Sequence, residues 1–313
     1  MTELPRQTRS YLMSLFERHG LHPRHDLGQN FLIDLNLHDL ILSEADLTEQ
    51  DVVLEVGTGT GALTSGMAAE AGFVVSVEYD ARVQELAREI LDSAPNVRLL
   101  QCDALKNKNR INPLVLDAVR EALAAEPGRR LKLVANLPYN VATPVISNLV
   151  ASDLPWTRMV VTIQLELADR MAAAPGSRDF SALSVWLQSQ TSVTLVRRLS
   201  PAVFWPRPQV DSAIVRIDPA PDLAAQIDDR AFLQTFVRDI FTQRRKRLRG
   251  VAASLFAHEL QGRSIDDVFA AADIPLDARA EQLSPGQLVQ LANSLKRPRS
   301  TGDAGADSKD APA

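Results

Sequence analysis

Short runs of apolar residues recur along the chain, beginning near residues 51, 73, 97, 131, 159, 192 and 212. Continuous apolar runs of about four to eight residues are typical of strands that are buried on both faces. The first five runs alternate with helical patterns, which predicts βαβ units and an α/β fold with a mostly parallel, doubly wound sheet. After the fourth run, Thr143 and Pro144 predict the N-cap and first turn of a helix.

The pattern changes near Pro219 and Pro221, beyond which it is helical throughout and includes a capping box that begins at Ser284. These changes predict four segments, namely a loosely attached polar N-terminal arm (1–24), an α/β domain (25–220), a small all-α domain (221–296) and a tail (297–313). The tail contains Gly, Ala, Ser, Asp and Lys without an apolar face, so we expect it to be disordered.

Composition narrows the class of protein. None of the apolar runs in the 313 residues approaches the roughly 18–20 residues of a membrane span, and Met1–Arg6 lacks the hydrophobic stretch of a secretory signal. The single cysteine, Cys102, excludes an internal disulfide, and the five histidines lack metal-ligand spacing. We therefore expect a cytoplasmic protein without a metal. The net charge of −5 argues mildly against a nucleic-acid partner, although local clusters decide such binding.

The stretch Asn136–Tyr139 directly follows the run at 131–135. Ligands of open α/β sheets bind at the carboxyl ends of strands. A planar amine, such as the adenine 6-amino group, could donate to the Asn136 side-chain oxygen and to the Leu137 carbonyl, while Tyr139 offers a ring for stacking. An ordinary strand-ending turn explains the same residues, because Asn and Pro are common in turns.

A glycine-rich loop and two acids follow the first three strands. Gly57, Gly59 and Gly61 lie between the first strand and its helix, where a ligand can approach the backbone closely. Glu78 and Asp103 end the next two strands, and an acid at the second position binds a ribose diol in nucleotide folds. Taken separately, the glycines could form an ordinary tight turn and the two acids could be solvated loop residues. Because the three features follow three successive strands, together they favour a nucleotide-like ligand.

Two ligand classes fit this pattern. A dinucleotide site normally has the spacing G-x-G-x-x-G, with the pyrophosphate at the helix N-terminus, and here Gly61 comes one residue early. S-adenosylmethionine has no phosphate and needs no such loop, and Asp103 could accept a hydrogen bond from its adenine amine. The pattern therefore favours S-adenosylmethionine.

Seven motifs, in their order and spacing over roughly residues 25–250, resemble the ribosomal RNA adenine N6-dimethyltransferase family, and within it the small-subunit group. They are Leu27–Leu32, Glu55–Gly61, Val77-Glu78, Asp103-Ala104, Asn136–Asn140, Phe204–Ala213 and Phe241–Lys246. The segment 106–130 is longer than is usual in that family.

The resemblance implies a Rossmann-like methyltransferase core over 25–220 and a helical, RNA-contacting domain over 221–296. It implies S-adenosylmethionine as the cofactor, in a site formed by Asn30, Leu32, Gly57, Gly59, Glu78, Asp103 and Asn136. It also implies that the target adenine is held by Asn136, Leu137, Pro138 and Tyr139, with Phe204 on its other face.

A basic run in the helical region consists of Arg244, Arg245, Lys246, Arg247 and Arg249. Apolar residues recur beside it at helical spacing, at positions 248, 251, 252 and 255, which predicts a helix with one apolar and one cationic face. Such a face is often only solvated, but beside the motifs above we favour contact with RNA phosphates.

The resemblance implies an enzyme that dimethylates N6 of two adjacent adenines near the 3′ end of small-subunit (16S) ribosomal RNA, and we expect it to act as a monomer on the immature small subunit. Two alternatives stay open, a large-subunit methyltransferase of the macrolide-resistance type and a non-catalytic ribosome-assembly or transcription factor. The match through Phe241–Lys246 favours the small-subunit group, and the intact Asn136–Tyr139 argues against a non-catalytic factor.

Overall fold

The computed structural model describes residues 7–296, so the tail expected to be disordered lies outside the described residues. The described chain forms two compact units. Residues up to 173 and residues 190–221 form an α/β unit, and residues 174–189 and 222–296 form a helical unit. None of the helices within residues 7–296 is long and apolar enough to cross a membrane.

Eleven strands lie in the described part of the α/β unit. They are β1 (Phe31–Leu32), β2 (Asp51–Val56), β3 (Phe73–Glu78), β4 (Val97–Gln101), β5 (Leu105–Asn107), β6 (Arg110–Ile111), β7 (Arg130–Asn136), β8 (Trp156–Gln164), β9 (Thr191–Leu199), β10 (Phe204–Trp205) and β11 (Ser212–Pro219). Seven of them form one sheet in the order β4-β3-β2-β7-β8-β11-β9. The first five in this order are parallel, and β11 is antiparallel to both β8 and β9. The predicted fold and all seven predicted strands are confirmed.

The helices of the α/β unit are α1 (Arg9–Arg18), α2 (Leu35–Ala45), α3 (Ala62–Glu70), α4 (Ala81–Leu91), α5 (Pro113–Ala124), α6 (Ala142–Ala151) and α7 (Leu165–Met171). Successive residues of a strand point to opposite faces of the sheet, and Val53 and Leu54 of β2 are both buried. Both faces of the central strands are therefore covered, which explains why these strands are continuous apolar runs.

Of the arm expected over residues 1–24, the described part (7–24) is not loosely attached. Leu12, Leu15 and Phe16 of α1 are buried, and the Phe16 ring lies edge-on to Phe31 and to Trp205, each with ring centroids 5.3 Å apart. The three apolar residues follow an i, i+3, i+4 spacing that forms one helical stripe. Polar residues before and after this stripe gave the segment the pattern of a polar arm in the sequence.

Helix α6 begins at Ala142, so the predicted N-cap at Thr143 is wrong. The N-cap is Val141, whose side chain makes no capping hydrogen bond. Its backbone N–H donates instead to the Pro138 carbonyl at 3.0 Å. The turn after β7 therefore closes through its own backbone, and the helix needs no threonine cap.

The helical unit contains α8 (Ala182–Gln188), α9 (Pro221–Ala224), α10 (Arg230–Phe241), α11 (Leu248–Leu255), α12 (Ala257–Leu260), α13 (Ile265–Ala271) and α14 (Pro285–Lys296). The capping box is present, since Ser284 and Gln287 exchange hydrogen bonds between side chain and backbone. Segment 174–189, which we expected in the α/β domain, lies in this unit. Its Phe180 ring packs edge-on against Phe241 with centroids 5.8 Å apart.

Four of the five residues of the basic run, 244–247, lie in the turn between α10 and α11, and Arg249 lies on α11, so the predicted continuous cationic helix is wrong. Helix α10 ends at Phe241, and α11 begins only at Leu248. Within α11 the apolar stripe is partly as predicted, because Leu248, Val251 and Ala252 are buried, whereas Leu255 is 43% exposed.

Candidate active site

A cavity of about 330 Å³ lies at the carboxyl edge of the sheet, within the usual size range of small-molecule sites. The loops that follow β2, β3, β4 and β7 line it, together with the segment around β1. The structure brings together on its wall ten of the residues predicted for the cofactor and for the target adenine. These are Asn30, Leu32, Gly57, Gly59, Glu78, Asp103, Asn136, Leu137, Pro138 and Tyr139.

Asn136 is the last residue of β7, and its amide has a defined orientation. The Nδ2 atom donates to the backbone carbonyl of Asn30 at 2.9 Å. A carbonyl oxygen can only accept, so the amide nitrogen must face Asn30 and Oδ1 points away from that carbonyl. The side-chain oxygen is thereby presented as a fixed acceptor at the cavity wall.

The turn after Asn136 is held from two sides. The Leu137 N–H donates to the Thr162 carbonyl on β8 at 3.1 Å. The Tyr139 hydroxyl lies 2.7 Å from the Ser212 hydroxyl on β11. Burial raises the pKa of Tyr139, so its hydroxyl stays protonated at neutral pH. The turn is therefore a rigid element, with its aromatic ring anchored at one end.

The glycine loop requires glycine for its conformation and for its packing. Gly57 and Gly59 have φ angles of +90° and +57°, in the left-handed region that favours glycine. A Cβ at Gly57 would lie 3.1 Å from Pro138 Cδ, and one at Gly59 would lie 3.2 Å from a Phe31 ring carbon. Glycine therefore lets this loop pack directly against the Asn136–Tyr139 turn.

Glu78 ends β3 and is only 8% exposed. One carboxyl oxygen accepts the Gly59 N–H at 3.0 Å, and the other accepts the Asp80 N–H at 2.9 Å. Burial raises the pKa of Glu78, and the two backbone donors oppose that shift. Each carboxylate oxygen keeps lone pairs for further donors, so this group can both hold the glycine loop and receive ligand hydroxyls.

Glu55 is a second buried acid, to which the sequence assigned no role. Its Oε2 accepts hydrogen bonds from the Thr64 hydroxyl at 2.6 Å and from the Ser76 hydroxyl at 2.5 Å. Ser76 lies 2.6 Å from the Thr58 hydroxyl of the glycine loop. Burial raises the pKa of Glu55 to about 8, so this acid is mostly neutral at pH 7 and supports the loop without a charge. The signal in the sequence was a carboxylate at position 55 within the apolar residues 52–56 of β2.

The segment before α2 forms one wall of the cavity and is tied to the strand ends. The Gln7 amide donates to the Thr60 carbonyl at 3.1 Å, and its oxygen accepts from the Thr60 hydroxyl. The Gln29 amide donates to Asp80 at 3.2 Å. The N-terminal segment therefore supports the glycine loop of the site through Gln7, a contact that the expectation of a loose arm missed.

His38 supports the same wall from α2. Its Nε2 lies 3.1 Å from the Leu32 carbonyl, and because a carbonyl only accepts, Nε2 carries the proton. Burial lowers the pKa of His38 and keeps the ring neutral. Two backbone carbonyls around β1 are thus held in place, that of Asn30 by Asn136 and that of Leu32 by His38.

Phe204 is the predicted site residue that the structure does not bring to the cavity wall. It lies on β10, pairs with Leu32 on β1 and is 3% exposed within the hydrophobic core. Asp103, by contrast, is exposed at the cavity, and one of its oxygens accepts the Leu105 N–H at 2.8 Å. The second oxygen of Asp103 is available to a ligand amine.

The residues of the cavity fit S-adenosylmethionine. A buried carboxylate, Glu78, suits a ribose diol, and Asp103 suits an adenine amine at the next strand end. The backbone of Gly57 and Gly59 lines the same cavity without side chains.

Comparison with known proteins assigns the family. The model of the ribosomal RNA adenine dimethylase family matches residues 20–297. A ribosomal RNA small subunit methyltransferase A from Pelotomaculum thermopropionicum is 40% identical over 293 residues, which cover 90% of this chain and 94% of that protein. One from Alkaliphilus oremlandii is 36% identical over 273 residues, which cover 87% and 91%.

Among solved structures, a dimethyladenosine transferase from Plasmodium falciparum shares the fold. Its TM-score is 0.68 at 22% identity, and the match covers 82% of this chain and 94% of that one. The family model alone spans most of the described residues. The chain therefore belongs to the ribosomal RNA adenine dimethylase family.

Proposed function

We propose that this protein uses S-adenosylmethionine to dimethylate N6 of two adjacent adenines near the 3′ end of 16S ribosomal RNA, as a monomer in the cytoplasm. The observation that carries the proposal is the orientation of the Asn136 amide, whose nitrogen is committed to Asn30. The cavity beside it suits the methyl donor. The names of the curated relatives support the small subunit as the target.

Asn136 and Leu137 act on the reacting amine. An adenine 6-amine is a weak nucleophile, because its lone pair is delocalised into the ring. Accepting its two hydrogens with Asn136 Oδ1 and the Leu137 carbonyl favours a pyramidal nitrogen with a free lone pair. Fixed acceptors of this kind stabilise the positive charge that develops on nitrogen in the transition state.

The remaining residues position the two reactants. S-adenosylmethionine, when bound, supplies an electrophilic methyl group. Glu78 and Asp103 would hold its ribose and adenine, so that orientation provides much of the acceleration. The target base must leave its stack to reach Asn136, and the anchored ring of Tyr139 offers a face on which the flipped base can stack.

The pocket recognises one adenine and cannot by itself select a ribosomal site, so selectivity must come from the surrounding surface. We expect strong methyl incorporation into immature or partly unfolded small ribosomal subunits, and weak incorporation into short adenine-containing RNA. Large subunits and their naked RNA should be poor substrates. The measurement is transfer of tritiated methyl groups, followed by nuclease digestion to identify dimethyladenosine.

Two results would contradict this proposal. Preferential labelling of large-subunit RNA would reassign the target to that of a resistance-type enzyme. Absence of labelling in every RNA, with binding of S-adenosylmethionine intact by calorimetry, would indicate a non-catalytic assembly factor.

The basic run consists of two groups that differ in their partners. Arg244 donates to the carbonyls of Arg178 and Phe180 at 3.2 and 2.9 Å, and Arg249 forms an ion pair with Asp266 at 2.5 Å. Both therefore have partners within the helical unit. The exposed side chains between them belong to Arg245, Lys246 and Arg247.

We propose that Arg245, Lys246 and Arg247 contact RNA phosphates, and that Arg244 stabilises the fold. Neutralising the three exposed residues should lower the slope of log affinity against log salt by about 0.7–0.9 for each phosphate that is no longer bound. Arg244→Ala should instead lower the melting temperature, because two backbone carbonyls lose a charged donor. An unchanged salt slope in the triple variant would show that this turn is only solvated.

A further inference from the structure

A second group of cations lies beside the cavity, on the hairpin formed by β5 and β6. Lys106, Lys108 and Arg110 are all exposed on this hairpin. Within residues 7–296, none of the three forms an ion pair with a carboxylate. The hairpin begins immediately after Asp103 and Ala104, which line the cavity.

Hydrogen bonds fix the base of the hairpin to the adenine side of the cavity. Asn112, the N-cap of α5, donates through its side chain to the Asp103 carbonyl at 2.8 Å and through its backbone to the Ala104 carbonyl at 2.9 Å. The Leu105 N–H donates to the Asp103 carboxylate at 2.8 Å. The hairpin is thus a direct extension of the loop that carries Asp103.

The tip of the hairpin is attached to the helix that follows the Asn136–Tyr139 turn. Asn148 on α6 donates from Nδ2 to the Lys108 carbonyl at 3.3 Å, and Ile111 at the end of β6 is buried. The tip is tight, because the Asn109 N–H donates to the Asn107 side chain at 2.9 Å. The cations therefore stand on a fixed support that connects the Asp103 loop with α6.

Among the described residues, none of the three cationic groups on this hairpin pairs with a carboxylate, so the fold does not require their charge. Hydrogen bonds to the hairpin backbone and the buried Ile111 hold its shape, and none of these contacts uses a cationic group. Three such cations within five residues are notable in a chain with a net charge of −5. A flipped adenine enters beside Asn136 with a phosphate on each side, and cations bind these phosphates independently of sequence.

We propose that Lys106, Lys108 and Arg110 form an RNA-phosphate contact at the rim of the cavity, which holds the backbone flanking the target adenine. This inference rests on the proposed function, because it requires RNA as the substrate. It adds to the α/β unit a contact surface separate from the basic turn at 245–247.

The test compares wild type with the triple variant Lys106→Ala/Lys108→Ala/Arg110→Ala on small ribosomal subunits. If the variant no longer binds two or three phosphates, KM should rise on the order of tenfold to a hundredfold at roughly 0.1 M salt, and the salt slope should fall by about 1.4–2.7. The turnover number and the affinity for S-adenosylmethionine should change little, because none of the three side chains lies on the cavity wall.

A control variant removes the same charge elsewhere. Arg88 and Arg120 are exposed, Arg170 is partly exposed, and each pairs with a carboxylate on its own helix. Their triple alanine variant should keep the wild-type KM and salt slope. An equal rise in KM for both triple variants would overturn the proposal, because net charge alone would then explain the effect.

The outcomes separate this inference from the proposed function. An unchanged KM and slope in the hairpin variant, while wild type forms dimethyladenosine, overturns the hairpin contact alone. A wild type that binds small-subunit RNA without methylating it, with weaker binding in the hairpin variant than in the control, overturns the proposed function and supports the contact.

Discussion

Replacing Asn136 with alanine is expected to lower the single-turnover rate of methyl transfer by about a hundredfold to a thousandfold at saturating RNA and S-adenosylmethionine. Removing one fixed group that stabilises transition-state charge has this effect on turnover in other enzymes. RNA affinity should change much less, because the Asn136 oxygen acts mainly on the reacting nitrogen. Rapid-quench measurements with preloaded complexes separate the chemical step from binding.

Asn136→Asp distinguishes the two functions of this side chain. The carboxylate keeps an acceptor for the adenine amine but cannot donate to the Asn30 carbonyl, where Nδ2 now lies at 2.9 Å. We expect a rate between those of wild type and of Asn136→Ala, with weaker binding of the methyl donor. A near-wild-type chemical step in Asn136→Ala would contradict the proposed mechanism.

Tyr139→Ala should weaken RNA binding more than the chemical step, in contrast to Asn136→Ala. The Tyr139 ring should contribute to capture of the flipped base, where stacking is worth about 1–3 kcal/mol, and less to the chemical step. The same quench experiment, with RNA concentration varied, should therefore show a higher half-saturating RNA concentration. A larger loss of rate at saturation than in Asn136→Ala would reverse the roles assigned to these two residues.

Most of the cavity wall was predictable because parallel strands end at one edge of the sheet. Glu78, Asp103 and Asn136 are more than 20 residues apart in sequence, yet each ends or follows a strand of the same sheet. An apolar run followed by a polar residue is a local signal, and the parallel topology brings such residues together. No long-range contact had to be known.

The features that were missed depend on contacts between distant segments. Phe204 belongs to the core because β10 pairs with β1, and nothing near residue 204 reveals that partner. The sequence shows the charge of Arg244 but not the carbonyls at 178 and 180 to which this side chain donates. The contact of Gln7 was also missed, since its partner Thr60 lies far along the chain in the glycine loop. Local patterns do not encode such pairs.

Replacing Glu78 with alanine should weaken binding of S-adenosylmethionine about tenfold to a hundredfold. Loss of hydrogen bonds to a charged group costs about 1.5–3 kcal/mol, and Glu78 is both the expected acceptor for the ribose diol and the acceptor for the Gly59 N–H. Glu78→Gln keeps one acceptor oxygen and should give an intermediate affinity. Isothermal titration calorimetry measures each affinity, and melting temperatures show whether the variants stay folded.

The affinity should also depend on pH in a direction set by Glu78. Burial raises the pKa of this carboxyl, so it takes up a proton at a higher pH than an exposed glutamate does. Only the ionised form offers both oxygens as acceptors, so affinity should fall as pH decreases through that raised pKa, and Glu78→Gln should lose this dependence. Unchanged affinity in Glu78→Ala would remove Glu78 from the site. Measurable binding of NAD to wild type would instead support the dinucleotide alternative, because the same carboxylate can hold the ribose of either ligand.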